Sequence, residues 1–372
     1  MFEFGPTDSG RLVAFLELEG RLMRQEEWWI PPDLEREIRF LEGKSPKNVG
    51  LEHRMFMSDD ARSARCAAFV NRRWGTHQGD AETGFIGFIA AAQDAMELLG
   101  TVLESAEDWL VTKGCNRVIL GFDGVPGGRL GIRCNDFDRP PRFPEPWQPP
   151  FYMVFLDDLG YARYKPWLSW SFDLHAEELI SLSQRVLARS ICSVRPFRSA
   201  DRDSELTISR DLFNTGFAAS WDYYPMSQGE LEEEFSSFGL LGDAEQILFA
   251  EVQGVPAGVC IGAPDLSDLM RSLQGVSPTE EQIRAYLRHD DCIKASPNTL
   301  AVHPDFRGMH VGPVLLASLF QVYKKRGMGD VEALYVDADN VEMVSLMTAF
   351  GGRPTQRYTH FTRKLDARPH RE

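Results

Sequence analysis

The sequence predicts two domains of mixed α/β fold. At roughly 150 residues per domain, a chain of 372 residues has room for two or three domains. Hydrophobic residues make up 43% of the chain and aromatic residues 11%, which supplies enough apolar side chain for packed cores. Strand and helix patterns follow a similar order in both halves, without a residue-level repeat of short period, which excludes a solenoid.

The first half alternates strand and helix patterns. Apolar runs of strand length at residues 66–70 and 83–89 flank a segment rich in turn-forming residues, 75–80. Apolar residues then recur at helical spacing over 94–112, and Gly114 stands where a C-terminal cap belongs. The remaining predicted elements are a strand at 117–120, a helix at 151–159 and a strand at 161–172, with a loop of six prolines between residues 137 and 150.

The second half repeats this element order. We expect a first domain at residues 1–175, a linker helix at 176–191 and a second domain at 192–372. Within the second domain the predicted helices are 205–217, 228–238, 312–326 and 341–350, and the predicted strands are 247–253, 257–263, 299–303, 333–336 and 356–364. An insertion at 265–297 contains a predicted helix at 279–287, and we expect it to act as a lid or an oligomer contact.

Composition restricts the classes of partner. The chain has 40 basic and 55 acidic residues, a formal charge of −15, and no basic cluster, which disfavours nucleic-acid binding and favours a cationic or neutral small molecule. Its six cysteines lack Cys-x-x-Cys spacing, so we expect reduced thiols, no metal and a cytoplasmic protein. No leader pattern and no bilayer-length apolar stretch occur, so we expect no membrane partner. We expect a monomer or a homodimer.

The segment from Val302 to Gly312 carries the clearest chemical signal. A predicted strand turns through a glycine-containing loop into an apolar helix, so unpaired backbone N–H groups converge where the helix dipole is positive. Such a site holds a pyrophosphate. Gly308 and Gly312 keep side chains away from the phosphate oxygens, and Arg307 either adds positive charge or braces the loop.

This segment resembles motif A of the GCN5-related N-acetyltransferases (GNAT), in which Arg/Gln-x-x-Gly-x-Gly/Ala follows a strand and opens a helix. The segment Leu334-Tyr335-Val336, Asn340 and the pair Gly351-Gly352 resemble the rest of that pattern, and the resemblance covers residues 192–365. It implies two tandem GNAT-like domains, each a mixed, mostly antiparallel sheet flanked by helices. It also implies an acyltransferase that moves an acyl group from acetyl-CoA or another acyl-CoA to a small-molecule amine.

The resemblance implies a set of cofactor-binding residues on one strand, the following loop and a later helix start. These are Leu300, Ala301, Val302, Arg307, Gly308, Met309, His310, Val311, Gly312 and Asn340. His310 stands where the family usually has a glycine, so it either narrows the pyrophosphate site, places an imidazole beside it, or is simply tolerated there. Asn340 is independently expected to cap a helix.

The catalytic groups are less directly indicated. Met347 occupies the position where the family often has a tyrosine that reprotonates the CoA thiolate. Tyr335 and Tyr358 are the candidate substitutes, with solvent, another group or weak catalysis as the alternatives. Asp337 is our candidate base, and Asp339 and His303 are alternatives that turn chemistry would equally explain.

Trp221, Asp222 and Tyr223 are candidates for binding the acceptor. The two aromatic rings offer flat walls and the carboxylate pairs with an ammonium group, although an aromatic core under a loop would give the same pattern.

The first half looks like a degenerate copy of the same fold, since no Arg-Gly-x-x-x-Gly string follows its strand at 85–90. This leaves two alternatives to an acyl-CoA-dependent enzyme: a non-catalytic or regulatory protein that binds CoA, and an acyl-carrier-dependent acyltransferase or decarboxylase.

Overall fold

The computed structural model describes residues 1–237, 244–288 and 294–366. The strands are β1 Phe2–Phe4, β2 Leu51–Met57, β3 Ala64–Asn71, β4 Thr83–Ala91, β5 Arg117–Leu120, β6 Ile132–Arg133, β7 Ala162–Asp173, β8 Ser193–Pro196, β9 Ile247–Val252, β10 Val255–Pro264, β11 Lys294–Val302, β12 Asp330–Asp337 and β13 Arg353–Lys364. The helices are α1 Ser9–Met23, α2 Leu34–Leu41, α3 Arg72–Gln78, α4 Met96–Thr112, α5 Phe151–Asp158, α6 Glu177–Ala188, α7 Arg202–Gly216, α8 Gln228–Ser237, α9 Ser267–Leu273, α10 Glu280–Leu287, α11 Val311–Lys325 and α12 Val341–Ala349.

The chain forms two compact units. Unit 1 consists of Met1–Trp167, Met270–Ser277 and the chain from Gln356 onward, and unit 2 consists of Leu168–Leu269 and Pro278–Thr355. These units differ from the division expected at residues 175–192. Most of β13 lies in unit 1 because its residues there pair with β5 from Phe361↔Leu120 to Lys364↔Arg117.

The sheet of unit 1 has the order β1, β2, β3, β4, β5 and β13. Neighbours from β1 to β4 are antiparallel, whereas β4 and β5 are parallel. The hydrophobic residues of β3 and β4 are buried, and α4 covers this sheet with the apolar face that its sequence spacing predicts. Gly114 caps α4 with a φ of 84°, as expected.

The segment at residues 75–80 was expected to be a turn, and this prediction is wrong. A helix, α3, begins directly after β3 because the Asn71 side chain accepts hydrogen bonds from the backbone N–H groups of Arg73 and Trp74. Trp74 is buried and its ring meets that of Phe85 edge-on at 4.8 Å. This tertiary contact outweighs the turn preference of the glycines.

The sheet of unit 2 has the order β7, β12, β11, β10, β9 and β8. β8 to β11 are antiparallel neighbours, and β11 and β12 are parallel. α11 packs its buried face, including Val314, Leu315 and Leu319, against this sheet. Each unit therefore has the predicted mixed, mostly antiparallel sheet with flanking helices.

Most predicted elements are present within a few residues of their expected bounds. The last residue of the helix expected at 228–238, part of the insertion at 265–297 and the end of the chain lie outside the described residues. Five cysteines are free thiols, and Cys292 lies outside the described part. Within the described residues, no helix combines the length and apolarity needed to cross a membrane.

Candidate active site in unit 2

The candidate site lies where two parallel strands of unit 2 separate. β11 and β12 pair at their first two residues, Lys294↔Asp330 and Ala295↔Val331. Among the described residues no further pair joins them, although β11 continues to pair with β10 as far as Val302. The carboxyl-terminal part of β11 therefore has one edge that β12 does not occupy.

The loop after β11 has the backbone geometry of a glycine-containing turn. A short 3₁₀ turn, Pro304–Phe306, follows the strand. Gly308 then has a φ of 79° and His310 a φ of 59°. Histidine is one of the few non-glycine residues found repeatedly in the left-handed region. His310 thus occupies a position that requires positive φ, which explains why a glycine is usual there in the family.

The start of α11 is open to an anion. His310 is the N-cap residue and its side chain makes no capping hydrogen bond. Val311 and Gly312 have no intrahelical acceptor for their N–H groups, and Pro313 has none to donate. The first turn contains no acidic residue, and the residues from Gly308 to His310 are exposed. The helix dipole therefore favours a phosphate here.

Arg307 braces this loop. Its Nη2 donates to the carbonyl oxygen of Gly216, the last residue of α7, at 3.0 Å. A cation at a helix C-terminus is favoured because the last carbonyls of a helix lack intrahelical partners. The sequence leaves two roles open for Arg307, adding positive charge or bracing the loop. The side-chain contact in the structure corresponds to bracing.

Three predicted cofactor residues lie on the separated part of β11. Leu300, Ala301 and Val302 pair with β10, and Ala301 is buried. α7 ends directly against them: a Cβ on Gly216 would stand 3.0 Å from the Ala301 Cβ. Only a glycine allows α7 to approach this closely, and the sequence alone gave no signal of this role for Gly216.

Tyr335 has an unusual backbone. It lies within β12 and has a φ of 52°. A bulky aromatic residue in the left-handed region is strained by about 1–3 kcal/mol, and such strain occurs often at functional sites. The side chain is partly buried. The strained backbone singles out Tyr335 among the residues at the end of β12.

Tyr358, the other candidate proton donor, lies in unit 1. It is fully buried on β13 and pairs with Arg133 of β6. The structure therefore does not bring Tyr335 and Tyr358 together in one unit. Met347, at the position where the family often has tyrosine, is buried on α12.

The candidate carboxylate and imidazole groups take part in turns. Oδ1 of Asp337 accepts a hydrogen bond from the Asp339 backbone N–H at 2.9 Å. Nδ1 of His303 accepts one from the Asp305 N–H at 3.3 Å. Asn340 accepts from the Met343 N–H at 3.0 Å, which confirms its predicted role as the cap of α12.

The aromatic acceptor segment follows directly from α7. Tyr223 is buried, its hydroxyl donates to Asn214 Oδ1 at 2.6 Å, and burial raises the pKa of this hydroxyl. Tyr223 and Ala301 belong to the same hydrophobic cluster. Trp221 and Asp222 are partly buried beside Tyr223. The segment thus begins at Gly216, next to the strand and loop of the candidate cofactor site.

The comparison with protein families agrees with this geometry. Residues 210–351 match the model of the acetyltransferase (GNAT) family, and this range contains β11, the loop, α11 and β12. The likeness to this family thus lies in the second half of the chain.

Solved structures extend the likeness to the whole chain. A tandem GNAT protein from the clavulanic acid biosynthesis pathway, solved without acetyl-CoA, is 13% identical, with 99% of this chain and 98% of that chain covered and a TM-score of 0.57. A probable N-acyltransferase from Enterococcus faecalis V583 is 10% identical, with 98% and 71% covered and a TM-score of 0.52. At these identities the likeness shows the fold, two tandem GNAT-like domains.

Two curated proteins are related in sequence. Protein YghO of Escherichia coli (strain K12) is 23% identical over 368 residues, with 95% of this chain and 93% of that protein covered. The bacterial ceramide synthase of Caulobacter vibrioides (strain NA1000 / CB15N) is 23% identical over 270 residues, with 71% and 70% covered.

Proposed function

We propose that unit 2 transfers an acyl group from acetyl-CoA or another acyl-CoA to the amine of a small molecule. The observation that carries the proposal is the open N-terminus of α11 at the end of β11, with His310 in the left-handed conformation. The GNAT-family match over residues 210–351 supports an acyltransferase fold. The free edge of β11 at residues 300–302 supplies backbone groups that would pair with the pantetheine arm.

Besides binding the cofactor and the acceptor, the reaction needs two proton transfers. The amine nitrogen attacks the thioester carbonyl, a C–N bond forms, and the C–S bond breaks to release CoA as a thiolate. We assign the proton that neutralises this thiolate to the Tyr335 hydroxyl, which lies on the strand that separates from β11. We assign the proton lost by the amine to Asp337, directly or through water.

The acceptor pocket in this proposal is the segment around Trp221, Asp222 and Tyr223. Asp222 pairs with the ammonium group before deprotonation, and the aromatic rings form apolar walls. The ceramide synthase relative supports an amine acceptor, because a ceramide is an N-acylated long-chain amino alcohol. A long-chain amino alcohol is therefore one class of acceptor to test alongside small amines.

The test is release of free CoA thiol from acetyl-CoA and palmitoyl-CoA over a panel of amines, including sphinganine, ethanolamine and polyamines. We expect at least one amine to give thiol release above hydrolysis, with the matching amide detected by mass spectrometry. Binding of acyl-CoA without release for any amine would favour a non-catalytic CoA-binding protein. An acylated carrier protein is tested as a further acyl donor. Amide formation from it, and from neither acyl-CoA, would favour the carrier-dependent alternative.

A further inference from the structure

Unit 1 contains a pocket of its own at the corresponding place in its sheet. β4 and β5 pair from Thr83↔Arg117 to Ile86↔Leu120, and β4 then continues without β5, paired with β3 as far as Ala91. The pocket encloses about 20 Å³, enough for one group the size of a water molecule, and opens at its mouth to solvent. Its lining includes Gly87, Phe88, Ile89, Gly121, Asp123 and Trp147.

Backbone irregularities create the opening. Phe88 has a φ of 51° within β4, and Gly121 has a φ of 84° directly after β5. The register between β3 and β4 shifts next to this position, since Arg65 pairs with Ala90 but Ala67 with Gly87. An extra residue on β4 bends the strand there, as β-bulges do beside binding sites.

The pocket is not an acyl-CoA site of the kind proposed for unit 2. The segment between β4 and α4 carries Asp94, and Glu97 lies in the first turn of α4. Ala95, the N-cap residue of α4, donates its N–H to the Ala92 carbonyl oxygen at 3.0 Å. Carboxylates at a helix start stabilise the helix and repel a phosphate.

Buried charges surround the pocket and do not balance. Five charged side chains interact here: Glu19, Glu37, Arg65, Asp123 and Arg129. Arg65 is fully buried and pairs with Glu19, and Arg129 pairs with Glu19 and Glu37. Three carboxylates thus face two guanidinium groups. Buried charges are costly unless they are paired, so with all five groups ionised the cluster carries one negative charge in excess, which a proton or a bound cation would neutralise.

Asp123 is the carboxylate left without a guanidinium contact. It is 5% exposed, and its Oδ2 accepts only the Arg129 backbone N–H at 3.3 Å. The Phe88 backbone N–H lies close enough to the carboxylate to lower its pKa, but Oδ1 has no hydrogen bond of normal geometry among the described residues. Gly87 makes room for it, because a Cβ there would stand 2.0 Å from Oδ1. Burial raises the pKa of Asp123, and the Arg129 guanidinium acts against this rise.

Two more groups near the pocket, the Glu37 carboxylate and the Trp147 indole N–H, are incompletely compensated by their neighbours. Burial, together with the neighbouring carboxylates of Glu19 and Asp123, raises the pKa of Glu37 to about 7 against the opposing effect of Arg129. Trp147 lines the pocket, is 8% exposed, and its indole N–H has no acceptor within the described part of the chain. A buried donor and a buried carboxylate oxygen thus both lack partners at this pocket.

We propose that the pocket of unit 1 binds a small organic cation, with a primary ammonium group on Asp123 and a neighbouring oxygen that accepts from the Trp147 indole N–H. The ammonium group supplies the missing positive charge, and the oxygen satisfies the donor. This site is separate from the acyl-CoA site proposed in unit 2 and does not depend on turnover there.

The test uses the full-length protein without acyl-CoA. The probe is 2-amino-1,3-propanediol, and the control ligand is glycerol, which has a hydroxyl in place of the amine. Titration is followed by the ¹⁵N-tryptophan indole resonances, with that of Trp147 assigned from Trp147→Phe. We expect the amine to shift the Trp147 resonance and to bind at least 10-fold more tightly than glycerol.

Two variants test which carboxylate of unit 1 binds the ammonium group. Asp123→Asn should lower the affinity for the amine at least 10-fold, while Asp94→Asn, which removes an exposed carboxylate of unit 1, should leave it unchanged. Equal binding of amine and glycerol, or equal binding by wild type and Asp123→Asn, would overturn the proposal. If Asp123→Asn does not fold, hydrogen exchange of the wild type decides: amine-dependent protection of residues 119–131 supports the site, and protection absent there overturns it.

Discussion

The two units share a strand order but differ in what lies beside their separating strands. In unit 2, β11 leads through Gly308 and His310 into a helix start without acidic residues. In unit 1, β4 leads to Asp94 and a helix start with Glu97, and the nearby pocket is surrounded by buried charges. One fold thus supports two different electrostatic environments. The helix start without acidic residues, in unit 2, is the one that favours a phosphate.

The largest expected effect concerns Tyr335, the strained residue of unit 2. If its hydroxyl protonates the CoA thiolate, Tyr335→Phe should lower kcat about 100-fold and change the KM for acyl-CoA little, because general acid catalysis is worth roughly 10²–10⁴-fold. Steady-state thiol release measures this. The matched control is Tyr358→Phe in unit 1, which should keep kcat. An unchanged kcat in Tyr335→Phe would exclude Tyr335 as the proton donor and leave solvent or another group in that role.

The next effect concerns the stability of unit 1 at acid pH. His360 is fully buried on β13, and burial lowers its pKa to about 3 from 6.5, against hydrogen bonds to the Leu120 and Gly121 carbonyl oxygens. Below pH 6.5 the unfolded chain binds a proton that the folded unit does not. His360 therefore contributes stability above pH 6.5 that is lost as pH falls towards 3, by up to about 1.4 kcal/mol per pH unit.

Urea unfolding between pH 7 and pH 5 measures this loss. We expect His360 to account for about 2 kcal/mol of the change over that range, so His360→Gln should have a shallower dependence of stability on pH than wild type. Identical slopes in the two proteins would contradict a neutral buried imidazole.

A smaller expected effect concerns helix capping, which differs between the helices that follow the parallel strand pairs of the two units. α12 of unit 2 is capped by the Asn340 side chain, whereas α5 of unit 1 begins after Pro150 without a side-chain cap. Asn340→Ala should lower the free energy of unfolding by about 1 kcal/mol. Denaturant unfolding measures the loss, and Asn340→Asp, which keeps a capping oxygen, should show little of it. Equal losses in both variants would argue against the cap.

Periodicity and local signals predicted most of the elements and the cofactor loop. α4 and α11 have clear apolar faces, and the loop from His303 to Gly312 has a recognisable composition. Long-range contacts were not predictable in this way. The pairing of β13 with β5 joins residues about 240 positions apart, and no pattern within either strand encodes that partner.

The charged cluster of unit 1 was missed for the same reason. Glu19 lies on α1, Glu37 on α2 and Arg65 on β3, and each is an ordinary charged residue in its own segment. Only the fold brings them together and buries them. Turn chemistry was misread where a tertiary contact dominated, as with Trp74 in α3.

The central claim is that acyl-CoA binds in unit 2 alone, at the start of α11. Calorimetric titration with acetyl-CoA of wild type, His310→Asn and His310→Asp tests it most directly. Both substitutions suit a left-handed N-cap position, so they differ mainly by one negative charge. We predict one site per chain, near wild-type affinity for His310→Asn and at least roughly 10-fold weaker binding for His310→Asp, a loss of about 1.4 kcal/mol or more. Two sites per chain, or equal affinity in the two variants, would contradict the claim.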